Sequence, residues 1–270
     1  KVCCDYGLHV AVTWWDDAAV PDSGASTNPA AAPRVSLSDE MATLVRDHGV
    51  TSFKCCMAYK GVLMVNDEQM FEIFKACKKV GALAQEHAEN GDAVVDGQEG
   101  LIERGVTGPE GHCMSRPEDV EGEATGRAIM IGDRVNTPVY IVHVMSRAAC
   151  EAVSAARKSG KICFGEPIAA GLGTDGCHCW HDDWRHAAGF VMGPPLRPDP
   201  TVKEHLMRAL ASGDLQVVGT DNCTFNADQK AMGKDDFRRI PNGVNGIQDR
   251  MSVVWEKGVH AGILNPCQFV

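Results

Sequence analysis

The chain has 270 residues, of which 44% are hydrophobic and 23% charged, and carries a formal net charge of −10 at pH 7. That length suits one α/β barrel or two small domains, and the composition is that of an ordinary globular protein. The negative balance argues against a general nucleic-acid or anionic-membrane binder, and no apolar run reaches the roughly 18 residues of a membrane span.

In chain order, residues 2–12 read as a strand, and the 16–34 stretch, rich in Ala, Pro, Ser and Asp, reads as a mobile surface loop. From Ser38, taken as an N-cap, Met41, Leu44 and Val45 fall at helical spacing. A strand over 50–58 precedes a helix near 67–80 that carries Met70, Phe71, Phe74 and Cys77 along one side. A strand over 81–87, a polar segment and a long helix containing 118–135 follow. Next come a strand over 138–144, a helix over 148–159, a strand over 161–168 and an irregular region to Asp199. A helix over 201–211 and a strand over 215–220 complete the series. Short apolar runs rich in β-formers alternating with helices predict buried parallel strands joined by right-handed βα units. Six such strands are expected, and no internal repeat is evident beyond that alternation.

Four of these runs end in, or carry, a residue able to ligate a metal: Lys54, His87, His143 and Asp221. In a (β/α)8 barrel the C-terminal strand ends converge on one mouth, so these four are expected to meet there as a metal site. A lysine in a buried run is costly unless neutralised or paired. A neutral amine can capture carbon dioxide as an anionic carbamate that bridges two cations; the plain alternative is a lysine reaching to the mouth to pair with a carboxylate. A single strand-end histidine is commonly a hydrogen-bonded core residue. Two at equivalent ends, with Lys54 and Asp221, favour zinc in a hydrolase.

Other patterns carry less. Gly171-Leu172-Gly173-Thr174-Asp175-Gly176 matches a dinucleotide fingerprint, but no clear helix opens at it, and a flexible loop at the mouth is the better expectation. Cys177-His178-Cys179-Trp180-His181 is too closely spaced for structural zinc, and Trp180 and Trp184 are expected to pack over the barrel. Asn222-Cys223-Thr224 fits a glycosylation sequon at a strand end, where chance is the better reading. Of the twelve cysteines, adjacent pairs such as Cys3-Cys4 and Cys55-Cys56 sit inside strand-like runs, where each reads as a small buried hydrophobe, and a reducing, cytoplasmic setting is expected. The sequence shows no signal peptide, and both ends read as cuts through a longer polypeptide.

Several segments together resemble the dihydropyrimidinase family of cyclic-amide hydrolases in the amidohydrolase superfamily. They are Ser52-Phe53-Lys54-Cys55-Cys56-Met57-Ala58-Tyr59-Lys60, His87-Ala88-Glu89-Asn90-Gly91-Asp92, Gly108-Pro109-Glu110-Gly111-His112 and Ile141-Val142-His143-Val144-Met145-Ser146. Gly193-Pro194-Pro195-Leu196-Arg197, the run from Gly219 to Asn226 and Pro241-Asn242-Gly243-Val244-Asn245-Gly246 continue the likeness over nearly the whole chain, which looks most like the animal enzymes. The resemblance implies two zinc ions per complete site, bridged by carbamylated Lys54, with His87 and His143 on one metal and Asp221 on the other. It makes Tyr59 the donor to substrate and oxyanion, Gly193 and Asn242 the main-chain holders of the ring, and Asp221 the proton carrier. The implied reaction opens 5,6-dihydrouracil or dihydrothymine to an N-carbamoyl β-amino acid in pyrimidine catabolism, in a homotetramer.

Two departures matter. The family's His-x-His on the first barrel strand occurs nowhere in the chain. The six strands then correspond to the third to eighth, so residues 1–270 form a partial catalytic barrel lacking two βα units and the family's small β-sandwich, with 16–34 as an insertion. Such a chain alone is expected to be poorly active. The alternatives are a non-catalytic scaffold like the collapsin response mediator proteins, disfavoured because they lack the lysine, second histidine and aspartate kept here as Lys54, His143 and Asp221, and a hydantoinase-type cyclic imide hydrolase.

Overall fold

The computed structural model describes residues 5–15 and 36–270, so the expected insertion over 16–34 lies outside the described residues. Five strands, β1 (His9–Ala11), β2 (Ser52–Cys56), β3 (Leu83–His87), β4 (Val139–Ile141) and β5 (Cys163–Gly165), form one parallel sheet. Each strand pairs with its successor in sequence. The connections carry α1 (Leu37–His48), α2 (Asp67–Val80), α3 (Gly91–Glu103), α4 (Glu110–Met114), α5 (Glu118–Val135) and α6 (Arg147–Lys158). Beyond β5 come α7 (Ala169–Gly173), α8 (Trp184–Gly189), α9 (Thr201–Ser212) and α10 (Ala227–Lys230).

Local chemistry sets the helix ends. Asn66 and Gln69 form a reciprocal capping box at the start of α2, and Gly81, at a φ of 70°, closes it in the left-handed conformation that glycine tolerates. Ser146 caps α6 by accepting from the Ala149 amide at 3.1 Å. At α1 the cap is Ser36 rather than the expected Ser38: Ser36 Oγ accepts the Asp39 amide at 3.2 Å, and Ser38 sits inside the first turn.

One face of the sheet is the core. Phe53, Cys55, Ala84, Val139, Ile141 and Cys163 pack under Met70, Ile73, Phe74 and Cys77 of α2, Ala124, Ala128 and Ile131 of α5, and Val153 of α6, all buried. Each large apolar side chain so buried contributes about 1.5–3 kcal/mol. The period-two alternation of the strands turns Ser52, Lys54, Gln85, Tyr140 and Val142 to the other face, where they line a cavity of about 500 Å³ with His9, Glu166 and Asp221.

The expected sixth strand is not a regular strand. Leu215–Thr220 runs beside β5, with one parallel bridge between Gly219 and Ile168. Gln216 N–H donates to the Gly165 carbonyl and Gly219 N–H to that of Pro167. Pro167 has no N–H to return, and the Gly165 amide is taken by the Gln216 side chain at 3.0 Å, so a ladder cannot propagate. The region expected to be irregular up to Asp199 holds α7, a 3-10 turn over Gly176–Trp180 and α8. Gly171 and Gly173 therefore lie in a short helix, not in a flexible loop. Trp184 packs against the small cluster of Leu101, Ala188, Val191, Phe237 and Ile240, whereas Trp180 is exposed, against expectation.

Candidate metal centre and substrate pocket

His87 ends β3, and Lys54 sits one inward-facing step earlier on β2, because Cys56 is the Cα partner of His87 and Lys54 that of Gln85. Strict alternation past β4 would turn Tyr140 and Val142 to the cavity and His143 away from it. His143 instead adopts a φ of 39°, and its ring swings edge-on to His87, with centroids 4.5 Å apart. Four non-glycine residues among those described have positive φ: Tyr59 at 64°, Asn136 at 56°, His143 at 39° and Asp221 at 45°. Asn136 is the left-handed cap of α5. The other three are predicted site residues, and such conformations cost roughly 1–3 kcal/mol each unless the surroundings impose them.

His87 Nδ1 faces His143 Nε2 at 2.8 Å, and both rings are buried. On its other side His87 Nε2 lies 2.9 Å from Glu89 Oε2. Burial works to raise the Glu89 carboxyl, but the His87 hydrogen bond and then Arg116 outweigh it and hold the group at about 2. Ionised Glu89 accepts the Nε2 proton, which leaves the Nδ1 lone pair turned toward His143. Burial, then His87 and Lys54, hold His143 well below the ordinary imidazole value, which keeps the His143 ring neutral. His143 Nδ1 is buried without a partner.

The arrangement behind His87 extends well beyond the predicted residues. Arg116 Nε lies 3.6 Å from Glu89 Oε1, an ion pair rather than a hydrogen bond. Arg116 Nη1 donates to His112 Nδ1 at 3.1 Å, and His112 Nε2 donates to the Met192 carbonyl at 2.6 Å. Burial and then Arg116 depress His112 to about 3, which keeps it the neutral tautomer this chain of bonds requires. Arg197 reaches the Arg116 carbonyl and Glu121, and Glu121 accepts the Met145 amide at 2.7 Å, bracing the backbone two residues after His143.

Tyr59 lies over His87, with ring centroids 5.0 Å apart. Burial, then Glu89, push its phenol well up against the opposing effect of Arg116 and the nearby Asn242 side-chain amide. Gly193 fits tightly there: a Cβ on it would lie 3.0 Å from Tyr59 Oη and 3.5 Å from Asn242 Nδ2. His87, His143, Tyr59, Gly193 and Asn242 are thus one cluster. Lys54 and Asp221 share the adjoining cavity with Glu166, whose carboxyl is raised by burial and takes the Tyr140 hydroxyl at 2.6 Å. Asp221 is exposed, and among the described residues no three His, Cys, Asp or Glu side chains converge as a cation site. The donors nevertheless fit zinc at the histidine pair: two buried imidazoles, one with its far edge held by a carboxylate, present facing nitrogens beside a lysine.

No protein-family model matches the chain. Over 270 residues it is 60% identical to a dihydropyrimidinase of Dictyostelium discoideum, covering all of this chain and 50% of that one. It is 56% identical to a dihydropyrimidinase of Rattus norvegicus, of which it covers 49%. The crystal structure of a dihydropyrimidinase from Brevibacillus agri superposes with a TM-score of 0.89 at 36% identity, over 98% of this chain and 53% of the other. By fold and relatives the chain falls with the dihydropyrimidinases and hydantoinases, an α/β parallel-sheet architecture matching their barrel over about half of their chains. More narrowly, it is a dihydropyrimidinase homologue that spans about half the length of the curated relatives it matches.

The sequence reading missed Glu89, His112, Arg116 and Glu166 as participants. Glu89 and His112 stand inside quoted motifs, and Glu89 follows His87 by two residues, the one local signal that it could reach the ring.

Proposed function

We propose that this chain supplies the zinc-holding and ring-holding parts of a hydrolase that opens 5,6-dihydrouracil or dihydrothymine to N-carbamoyl β-amino acids. The observation that carries this reading is the pair of facing nitrogens, His87 Nδ1 and His143 Nε2, with the opposite edge of His87 fixed by Glu89. His87, His143 and carbamylated Lys54 would hold one zinc, and Lys54 with Asp221 would contribute to a second. When bound, the cations supply Lewis acidity and bring the pKa of water toward neutrality.

The chain's own residues then have distinct tasks. The Tyr59 phenol, pushed up by burial, stays protonated at neutral pH and donates to the ring carbonyl oxygen as negative charge develops there. Asp221 takes the proton from the attacking water and passes it to the departing ring nitrogen. Main-chain groups at Gly193 and Asn242 hold the cyclic amide beside Tyr59. The same reading places the protein in the cytoplasm as a homotetramer acting on small cyclic amides, not on nucleic acid or membranes. It is supported by the family likeness and by ten described cysteines that are all free thiols; no described helix is long and apolar enough to cross a membrane.

The test joins residues 1–270 to the complementary half of the Dictyostelium discoideum relative and measures N-carbamoyl-β-alanine formed from dihydrouracil. Ring opening that depends on zinc and disappears in Lys54→Ala supports the reading. A folded, zinc-loaded chimera that opens no ring, or one indifferent to Lys54→Ala, contradicts it.

A further inference from the structure

Lys230 is a buried lysine that the reaction scheme does not use. It ends the short helix α10, whose start is fixed by a capping box between Asn226 and Gln229. Among the described residues no carboxylate pairs with it. Its Nζ instead donates to three main-chain carbonyls: Val191 at 2.8 Å, Pro241 at 2.7 Å and Gly243 at 2.9 Å. All three ammonium protons are therefore used, which leaves none for a substrate and rules out a nucleophilic role in this state. The Phe225 ring lies 5.6 Å from the ammonium.

The bonded carbonyls come from two segments remote in sequence. Val191 stands two residues before Gly193, and Pro241 and Gly243 flank Asn242. The segments also touch directly, since Gly243 N–H donates to the Val191 carbonyl at 3.0 Å. That carbonyl thus accepts from both Gly243 and Lys230. The next carbonyl along, Met192, takes the His112 bond at 2.6 Å. A cationic donor and a neutral imidazole thereby fix consecutive peptide groups immediately before Gly193.

We infer that Lys230 is a positioning residue for the substrate ring, locking the Gly193 and Asn242 main chains at one mutual spacing. The inference rests on the functional reading that these two positions hold the ring. A main-chain clamp has no rotamers to adjust, so its affinity depends on how the two peptide segments are held, and a displacement of about 1 Å can cost on the order of 100-fold. A lysine with three carbonyl partners from two segments makes that spacing insensitive to loop motion, whereas an apolar side chain there would leave the Pro241 and Gly243 carbonyls without this donor.

The experiment compares Lys230→Met and Lys230→Arg with the unsubstituted sequence, all in the chimera that carries the complementary half and each supplied with zinc and bicarbonate. Zinc per chain, dihydrouracil affinity by calorimetry and backbone amide exchange are measured. Lys230→Met is expected to keep its zinc, bind dihydrouracil about 10- to 100-fold more weakly, and exchange faster at both 191–193 and 241–243. Lys230→Arg, which keeps the charge and several donors, is expected to recover part of the affinity. Unchanged affinity and exchange in Lys230→Met would overturn the inference alone. Failure of the unsubstituted, zinc-loaded chimera to bind dihydrouracil would overturn the functional reading and this inference with it. Equal loss of zinc and affinity would show a general structural role and overturn it as well.

Discussion

His112 offers the sharpest test of the buried polar chain behind His87. Its ring is fully enclosed, accepts from Arg116 at Nδ1 and donates to Met192 from Nε2. Burial and then the Arg116 charge depress it to about 3, against about 6.5 for an exposed imidazole. A depressed histidine contributes stability that is present above about 6.5 and is lost as pH falls toward 3, because the unfolded chain takes up a proton that the folded chain refuses. At ~1.4 kcal/mol for each pH unit below 6.5, the loss reaches about 2 kcal/mol at pH 5 and is nearly zero at pH 7.5. His112→Gln removes the titration and retains an amide oxygen for Arg116 and an N–H for Met192. Urea unfolding under reducing conditions at pH 7.5, 6 and 5 should give two curves of stability against pH that diverge by about 2 kcal/mol at the acid end, with the unsubstituted chain falling faster. Any constant offset reports imperfect replacement of the hydrogen bonds. Parallel curves would refute a neutral, buried His112 and the tautomer chain built on it.

Two further predictions concern the site itself. Tyr59→Phe, in the chimera that carries the missing half, should slow ring opening by about 10²–10³ while zinc content holds; unchanged turnover removes Tyr59 from the oxyanion role. Glu89→Ala should weaken zinc binding by about 10- to 100-fold in competition with a chelator, and Glu89→Gln, which can still accept from His87 Nε2, should lose less. Equal effects of the two substitutions would argue that Glu89 acts by charge rather than by fixing the tautomer.

The regular elements were legible because their signals are local. The helix expected near 67–80 is α2, and the long helix expected to contain 118–135 is α5. The first has a capping box and a closing glycine written into its sequence; the second has Pro117 before it and Asn136 after it. The 215–220 run failed as a strand for a reason periodicity does not carry: its neighbour contains Pro167, and pairing there uses a side-chain amide. The pairing of His87 with His143 was legible as two strand ends at one rim. What turned His143 inward, a φ of 39°, is invisible to alternation. Lys230 lies in the polar run Asp228-Gln229-Lys230, which gives no hint of burial because its burial is made by carbonyls from residues 191, 241 and 243.

The central claim is that this chain binds zinc through Lys54, His87 and His143. Metal analysis by mass spectrometry, after dialysis of the purified chain in zinc and bicarbonate, addresses it most directly. The account predicts at least one tightly held zinc per chain, lost in His143→Ala and reduced in Lys54→Ala. A chain that retains no zinc, or whose zinc is unaffected by either substitution, would contradict it.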